Sequence, residues 1–260
     1  RQAQKGGYAH FMLKEIYEQP RVLEETIRKR VKSRDAVEFD TVSRRVWDRL
    51  KNAKRIFLVS CGTAYHAGLV GRYMLEEYAR IPAEVQVSSE FRYSDPILTS
   101  EDAVVLITQS GETIDTLAAL REAKQKGTLT LAIVNVVGST IAREADVVIY
   151  THAGPEIGVA STKAYLAQLL TLALFSIKLG RLRKHVSTSS FRQFIREVRG
   201  LPHLLPCARR AARVAPWSQP LATTLEGAPP PDAGKSVFRA RDRPSAPRPA
   251  SGARRRSARS

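Results

Sequence analysis

The sequence predicts an α/β protein built on a doubly wound, five-stranded parallel sheet of flavodoxin-like strand order, with a helical lead-in and a disordered C-terminal tail. Three observations carry that expectation. Ala103 to Ile107 is a near-continuous apolar run, the pattern of a strand buried on both faces. Between Arg55 and Tyr150 such runs alternate with segments of helical periodicity, and short right-handed crossovers then favour one parallel sheet covered on both sides. The strand ends also give way to small and hydroxyl-bearing residues, where an open sheet of this kind takes its ligands.

The elements follow in chain order. His10 to Val31 reads as helix interrupted at Pro20, with Met12, Leu13, Ile16 and Tyr17 on one apolar face and Val22, Leu23, Ile27 and Val31 on another. A short helix spans Thr41 to Leu50, and residues 1–54 together form the lead-in. Residues 55–205 form the ligand-binding domain. It opens with a strand at Arg55 to Ser60, a helix from Ala64 to Ala79 and a strand at Glu84 to Val87. After the strand at Ala103 comes a helix marked by Ile114, Leu117, Ala118, Leu120 and Ala123, with Ser110 as its N-cap. A strand at Leu129 to Asn135, a short helix near Thr140 to Glu144 and a strand at Val147 to Tyr150 complete the sheet. A long apolar helix from Ser161 to Leu179 is expected to stop at Gly180, and an amphipathic helix covers Ser187 to Leu205.

Charge says little about function. The chain carries a formal +17, of which about +9 falls in residues 206–260, together with 9 of the 14 prolines. No core can be drawn from that segment. It reads either as the product of a shifted reading frame in GC-rich coding DNA or as a genuine basic arm, and a nucleic-acid partner is not expected. Two cysteines, Cys61 and Cys207, are too few for a disulfide framework or a zinc site, so a cytoplasmic setting is the default. No apolar run reaches the ~20 residues of a membrane span. The nearest, Ala164 to Ile177, is interrupted by Gln168. Residues 1–8 have charge without an apolar core and no start methionine, which suggests part of a longer chain.

Three loops share one chemistry: Ser60-Cys61-Gly62-Thr63, Thr108-Gln109-Ser110-Gly111-Glu112-Thr113 and Gly158-Val159-Ala160-Ser161-Thr162. Small residues let backbone N–H groups approach an anion, and hydroxyls bond phosphate and sugar oxygens alike. Each loop alone could be a mere helix cap; three at one sheet edge favour a phosphate site. Other ligands fare worse. Gly234-Lys235-Ser236 imitates a P-loop ending, but Pro229 occupies the glycine position and no strand precedes it. Gly62 and Gly68 do not make a dinucleotide fingerprint, and His66, His152 and His203 lack ligand spacing, so neither cofactor nor metal is expected. Cys61 suits packing better than nucleophilic attack. Glu90, Glu112 and Glu156 could serve as bases by type, although Glu112 better complements a helix dipole and Glu156 could equally anchor its loop.

The segments Cys61-Gly62-Thr63, Gln109 to Thr113 and Glu156 to Ala164, with the lead-in Lys5 to Tyr8 and Met12 to Ile16, resemble the first sugar-isomerase (SIS) domain of the glutamine–fructose-6-phosphate aminotransferase family. The resemblance covers roughly Lys5 to Leu205. It implies an enzyme family that makes glucosamine 6-phosphate from fructose 6-phosphate and glutamine, and a homodimer. It also implies a hexose-phosphate pocket formed by Thr63, Thr108, Gln109, Ser110, Thr113, Val159, Ala160 and Ser161. Thr108 and Ala64 stand where serine is usual. The family's glutaminase domain, second SIS domain and catalytic C-terminus are not visible, so the chain is expected not to turn over alone. Lys163 is tempting as a Schiff-base former, but the family's ketose-binding lysine lies elsewhere, which leaves Lys163 a solvated or subunit-contact role. A stand-alone sugar-phosphate sensing module is the alternative, and it predicts a helix-turn-helix that the N-terminal region does not contain.

Overall fold

The structure, a computed structural model, describes the backbone of residues 4–213 and the side chains of residues 4–206. Five parallel strands form one sheet: β1 (Ile56–Ser60), β2 (Ala83–Val87), β3 (Ala103–Thr108), β4 (Leu129–Val134) and β5 (Val147–Tyr150), in the order β2-β1-β3-β4-β5. This is the expected flavodoxin-like order. Its switch point lies between β1 and β3, where Ser60 pairs with Ile107. The tail expected from residue 206 falls almost wholly outside the described residues.

Alternation along each strand builds two cores, because successive side chains face opposite sides. Ile56, Leu58, Val105, Ile107, Leu131 and Ile133 face α1 (Phe11–Arg30), α2 (Arg44–Asn52), α3 (Gly62–Met74), α7 (Lys163–Leu182) and α8 (Thr188–Arg213). Phe57, Val59, Val104, Leu106 and Ala132 face α4 (Ser88–Tyr93), α5 (Ile114–Gln125) and α6 (Thr140–Glu144). All residues of β1, β3 and β4 are buried, as a sheet covered on both faces requires.

Several elements depart from the sequence reading. The lead-in helix continues through Pro20, because Val22, Leu23 and Ile27 bury against the core and their burial outweighs the lost hydrogen bond. Its first turns do not bury an apolar face: Met12 and Leu13 are exposed, and the buried residue there is Glu15. Ser88–Tyr93, expected as a loop, is α4, anchored by Phe91 and by a 3.0 Å Ser88–Thr116 hydroxyl contact. Six residues are too few to display a helical period. The helix after β1 begins at Gly62 and closes with a π-helical turn at Leu75–Ala79, after which Arg80 takes a left-handed φ of 50°.

Gly180 does not end α7. The helix runs on to Leu182, and the left-handed residue beyond it is Lys184, at φ 64°. Gly180 is there for proximity: a Cβ would lie 2.7 Å from the Tyr78 carbonyl carbon and closer still to its oxygen. α8 likewise passes the expected stop at Leu205 and includes Pro202 and Pro206. Among the described residues α7 is the one helix long and apolar enough, by length and composition, to cross a membrane. However, 67% of that apolar window is buried within the protein, which makes it the core helix.

Candidate functional site

A cavity of about 470 Å³ opens at the carboxyl ends of β1 and β3, at the switch point. Three loops meet there. The first is the turn from β1 into α3. Gly62 has φ +58°, and because α3 starts at Gly62 with Cys61 as an N-cap that makes no side-chain bond, Gly62, Thr63 and Ala64 form a first turn with uncommitted N–H groups.

The second loop, Thr108 to Thr113, is braced from within and from its neighbour. Gly111 N–H donates to Thr108 Oγ1 (3.2 Å), and Glu112 N–H donates to Ser110 Oγ (3.2 Å). Just after β4, Asn135 N–H donates to Gln109 O (3.2 Å), and from the first turn of α6 Ile141 N–H donates to Gly111 O (3.0 Å). Ser110 is therefore not the N-cap of α5. Thr113 takes that position without a capping side-chain bond. Glu112 does not serve the dipole of α5 either: it accepts the Thr140 N–H at 2.8 Å at the start of α6, and that bond holds its carboxyl below the usual range.

The third loop, Glu156 to Thr162, is held by two carboxylates. Glu156 accepts the Ser161 hydroxyl (2.8 Å) and the N–H groups of Thr162 (2.9 Å) and Ala164 (3.2 Å), so it is a loop anchor at the start of α7. Glu15 reaches across from α1 to accept the N–H groups of Ile157 (2.6 Å) and Gly158 (3.1 Å). Lys163 is neither solvated nor free: it is 2% exposed and pairs with Glu18 at 2.6 Å. A long-range ion pair of this kind leaves no signature in local sequence.

Thr63, Thr108, Gln109, Ser110, Thr113, Val159 and Ser161 all line the one cavity. Ala160 sits between two of them and is not itself a lining residue. The other strand-end loops, at 88–93 and 135–140, do not line it. Three lining residues were not singled out from the sequence: Thr116 from α5, Gln168 from α7 and Ile107 at the end of β3. Gln168 could have been found, since it interrupts an otherwise apolar helix.

No lysine, arginine or histidine is among the lining residues, and the one carboxylate there, Glu156, is already engaged. The cavity thus presents hydroxyls, amides and helix N-termini. That chemistry suits an anion esterified to a polyol: N–H groups and hydroxyls for the phosphate, amides and hydroxyls for the sugar. Among the described residues no group of histidines, cysteines and acids is placed to hold a metal.

The family model for the SIS domain matches residues 49–178. The chain is 50% identical over 200 residues to the isomerizing glutamine–fructose-6-phosphate aminotransferase of Caldanaerobacter subterraneus subsp. tengcongensis, covering 77% of this chain and 33% of that protein. It is 53% identical over 175 residues to the Clostridium acetobutylicum enzyme of the same name, covering 67% and 29%. It therefore spans about a third of the length of the curated relatives it matches. Among solved structures, the C-terminal domain of glucosamine-fructose-6-phosphate aminotransferase from Francisella tularensis superposes with a TM-score of 0.77 at 37% identity, covering 82% of this chain and 59% of that one.

Proposed function

The chain belongs to the SIS-domain family, and from that membership we propose that it forms the hexose-phosphate-binding part of an isomerizing glutamine–fructose-6-phosphate aminotransferase. Its ligand on this reading is fructose 6-phosphate or glucosamine 6-phosphate. The supporting observation is the meeting of three hydroxyl- and glycine-bearing loops at a single cavity on the switch point of the sheet. Ser110, Thr113 and the first turn of α3 would take the phosphate, with Thr63, Gln109 and the Val159 to Ser161 segment around the sugar.

Calorimetric titration of the 260-residue chain with each sugar phosphate tests the proposal. Saturable binding is expected, with Ser110→Ala weakening it about tenfold, the scale of one hydrogen bond to a charged group. Absence of heat with both ligands, together with no shift in thermal unfolding, would sink it. Because the lining residues include no cation, affinity should change little between low and moderate salt.

The same reading makes the protein a cytoplasmic homodimer. Met12, Leu13, Ile157 and Val159 are exposed large apolar residues, and Met12 lies against Gly158, between Ile157 and the cavity-lining Val159; apolar side chains exposed there support pairing with a second copy. Sedimentation of the titration sample decides this: a monomer at micromolar concentration, with and without ligand, excludes it.

A further inference from the structure

Gln168 lies in the second turn of α7 and lines the cavity, yet it is only 1% exposed. Its Oε1 is sealed from solvent and receives no hydrogen bond from any described residue. A buried acceptor left unmatched is destabilising, and its neighbours Ala164 and Ala167 are buried apolar residues among which an aliphatic side chain would pack at no such cost. Gln168 lines a site built for a ligand, and a small turn of its amide as a ligand enters would bring Oε1 to the partner it lacks.

We propose that Gln168 is a specificity-determining residue that accepts a hydrogen bond from a hydroxyl of the bound sugar; this rests on the sugar-phosphate reading above. The chemistry separates the two halves of the ligand. An amide oxygen needs a donor. The esterified phosphate dianion offers acceptors only, whereas every free hydroxyl of a hexose carries an O–H. The phosphate is served by the N–H groups and hydroxyls of the Cys61 to Ala64 and Thr108 to Thr113 loops, so Gln168 reads the sugar and not its charge.

The test compares the full chain with Gln168→Met, which keeps the length and removes the acceptor, and with Gln168→Leu should the first variant not fold. Fructose 6-phosphate and methyl phosphate, whose ester dianion has no O–H to donate, are the probes. Affinity for fructose 6-phosphate is expected to fall about tenfold in the variant while that for methyl phosphate stays within about twofold, and the thermal midpoint should hold or rise because an unmatched acceptor has gone. Hexose 6-phosphates lacking one hydroxyl at a time give an independent readout. One of them should lose affinity for the wild type by a similar factor and bind the variant no worse than the parent sugar does. Unchanged fructose 6-phosphate affinity in a folded variant, or equal loss for sugar phosphate and methyl phosphate, overturns the assignment and leaves the phosphate pocket standing. Failure of the wild type to bind any sugar phosphate removes both together.

Discussion

At the scale of single residues, the cavity is shaped by glycines and carboxylates as much as by the hydroxyls that drew attention to it. Gly111 holds φ +68°, and a Cβ there would lie 2.9 Å from Val134 Cγ2 and closer still to Ser139 Oγ. Gly111→Ala combines left-handed strain of about 1–2 kcal/mol with a clash against a buried wall that typically adds about 1–3 kcal/mol. A loss near 3 kcal/mol by urea unfolding is expected, with weakened sugar-phosphate binding because Gln109 and Ser110 flank it. A loss below about 0.5 kcal/mol would mean that the loop has room the structure does not show. The residues that line the cavity were readable from the sequence because small and hydroxyl-bearing residues recur at several strand ends at once. The residues that hold them were not. Glu15 and Glu18 meet Gly158 and Lys163 across more than 140 positions of chain, a proximity that no local pattern encodes.

At the scale of elements, the three inner strands β1, β3 and β4 were legible because their apolar runs have one physical explanation, burial on both faces. Helix limits were less so, since Gly and Pro carry opposite meanings in different surroundings. Gly180 and Gly200 show this. Both lie inside helices, where alanine would ordinarily stabilise by about 0.8–1 kcal/mol. At Gly200 a Cβ meets nothing within 4 Å, so Gly200→Ala should raise stability by about that amount. At Gly180 the added atom would run into the backbone carbonyl of Tyr78, which cannot rotate aside as a side chain would. Gly180→Ala should therefore destabilise by about 2–4 kcal/mol. Thermal and urea unfolding of the two variants side by side would give opposite signs. The same sign in both would show that helix propensity alone governs these positions.

Across the whole molecule, the two ends of the sheet are put to different use. The carboxyl ends of β1 and β3 keep hydroxyls and amides open around a cavity, while the amino ends are fastened by acids. Asp102, just before β3, accepts two bonds from Arg55 at 3.2 Å and two from Thr99 at 2.8 and 3.0 Å, and Asp146, before β5, accepts both the N–H and the hydroxyl of Thr130. Burial pushes both carboxyls up, but these bonds, with Lys124 beside Asp146, outweigh it and leave both below their usual range. A carboxyl lowered in the folded state stabilises the fold above its unfolded value of about 3.9 and loses that contribution as pH falls through the lower folded value. Asp102 is nearly sealed, at 2% side-chain exposure, so its charged bonds are little screened. Asp102→Asn should cost about 1–3 kcal/mol at pH 7. The gap from wild type should narrow below about pH 4 and close once the wild-type acid is itself protonated. Urea unfolding at pH 7, 5 and 3 resolves this, because a gap that stayed constant with pH would mean that the strand ends need the shape of the side chain and not its charge.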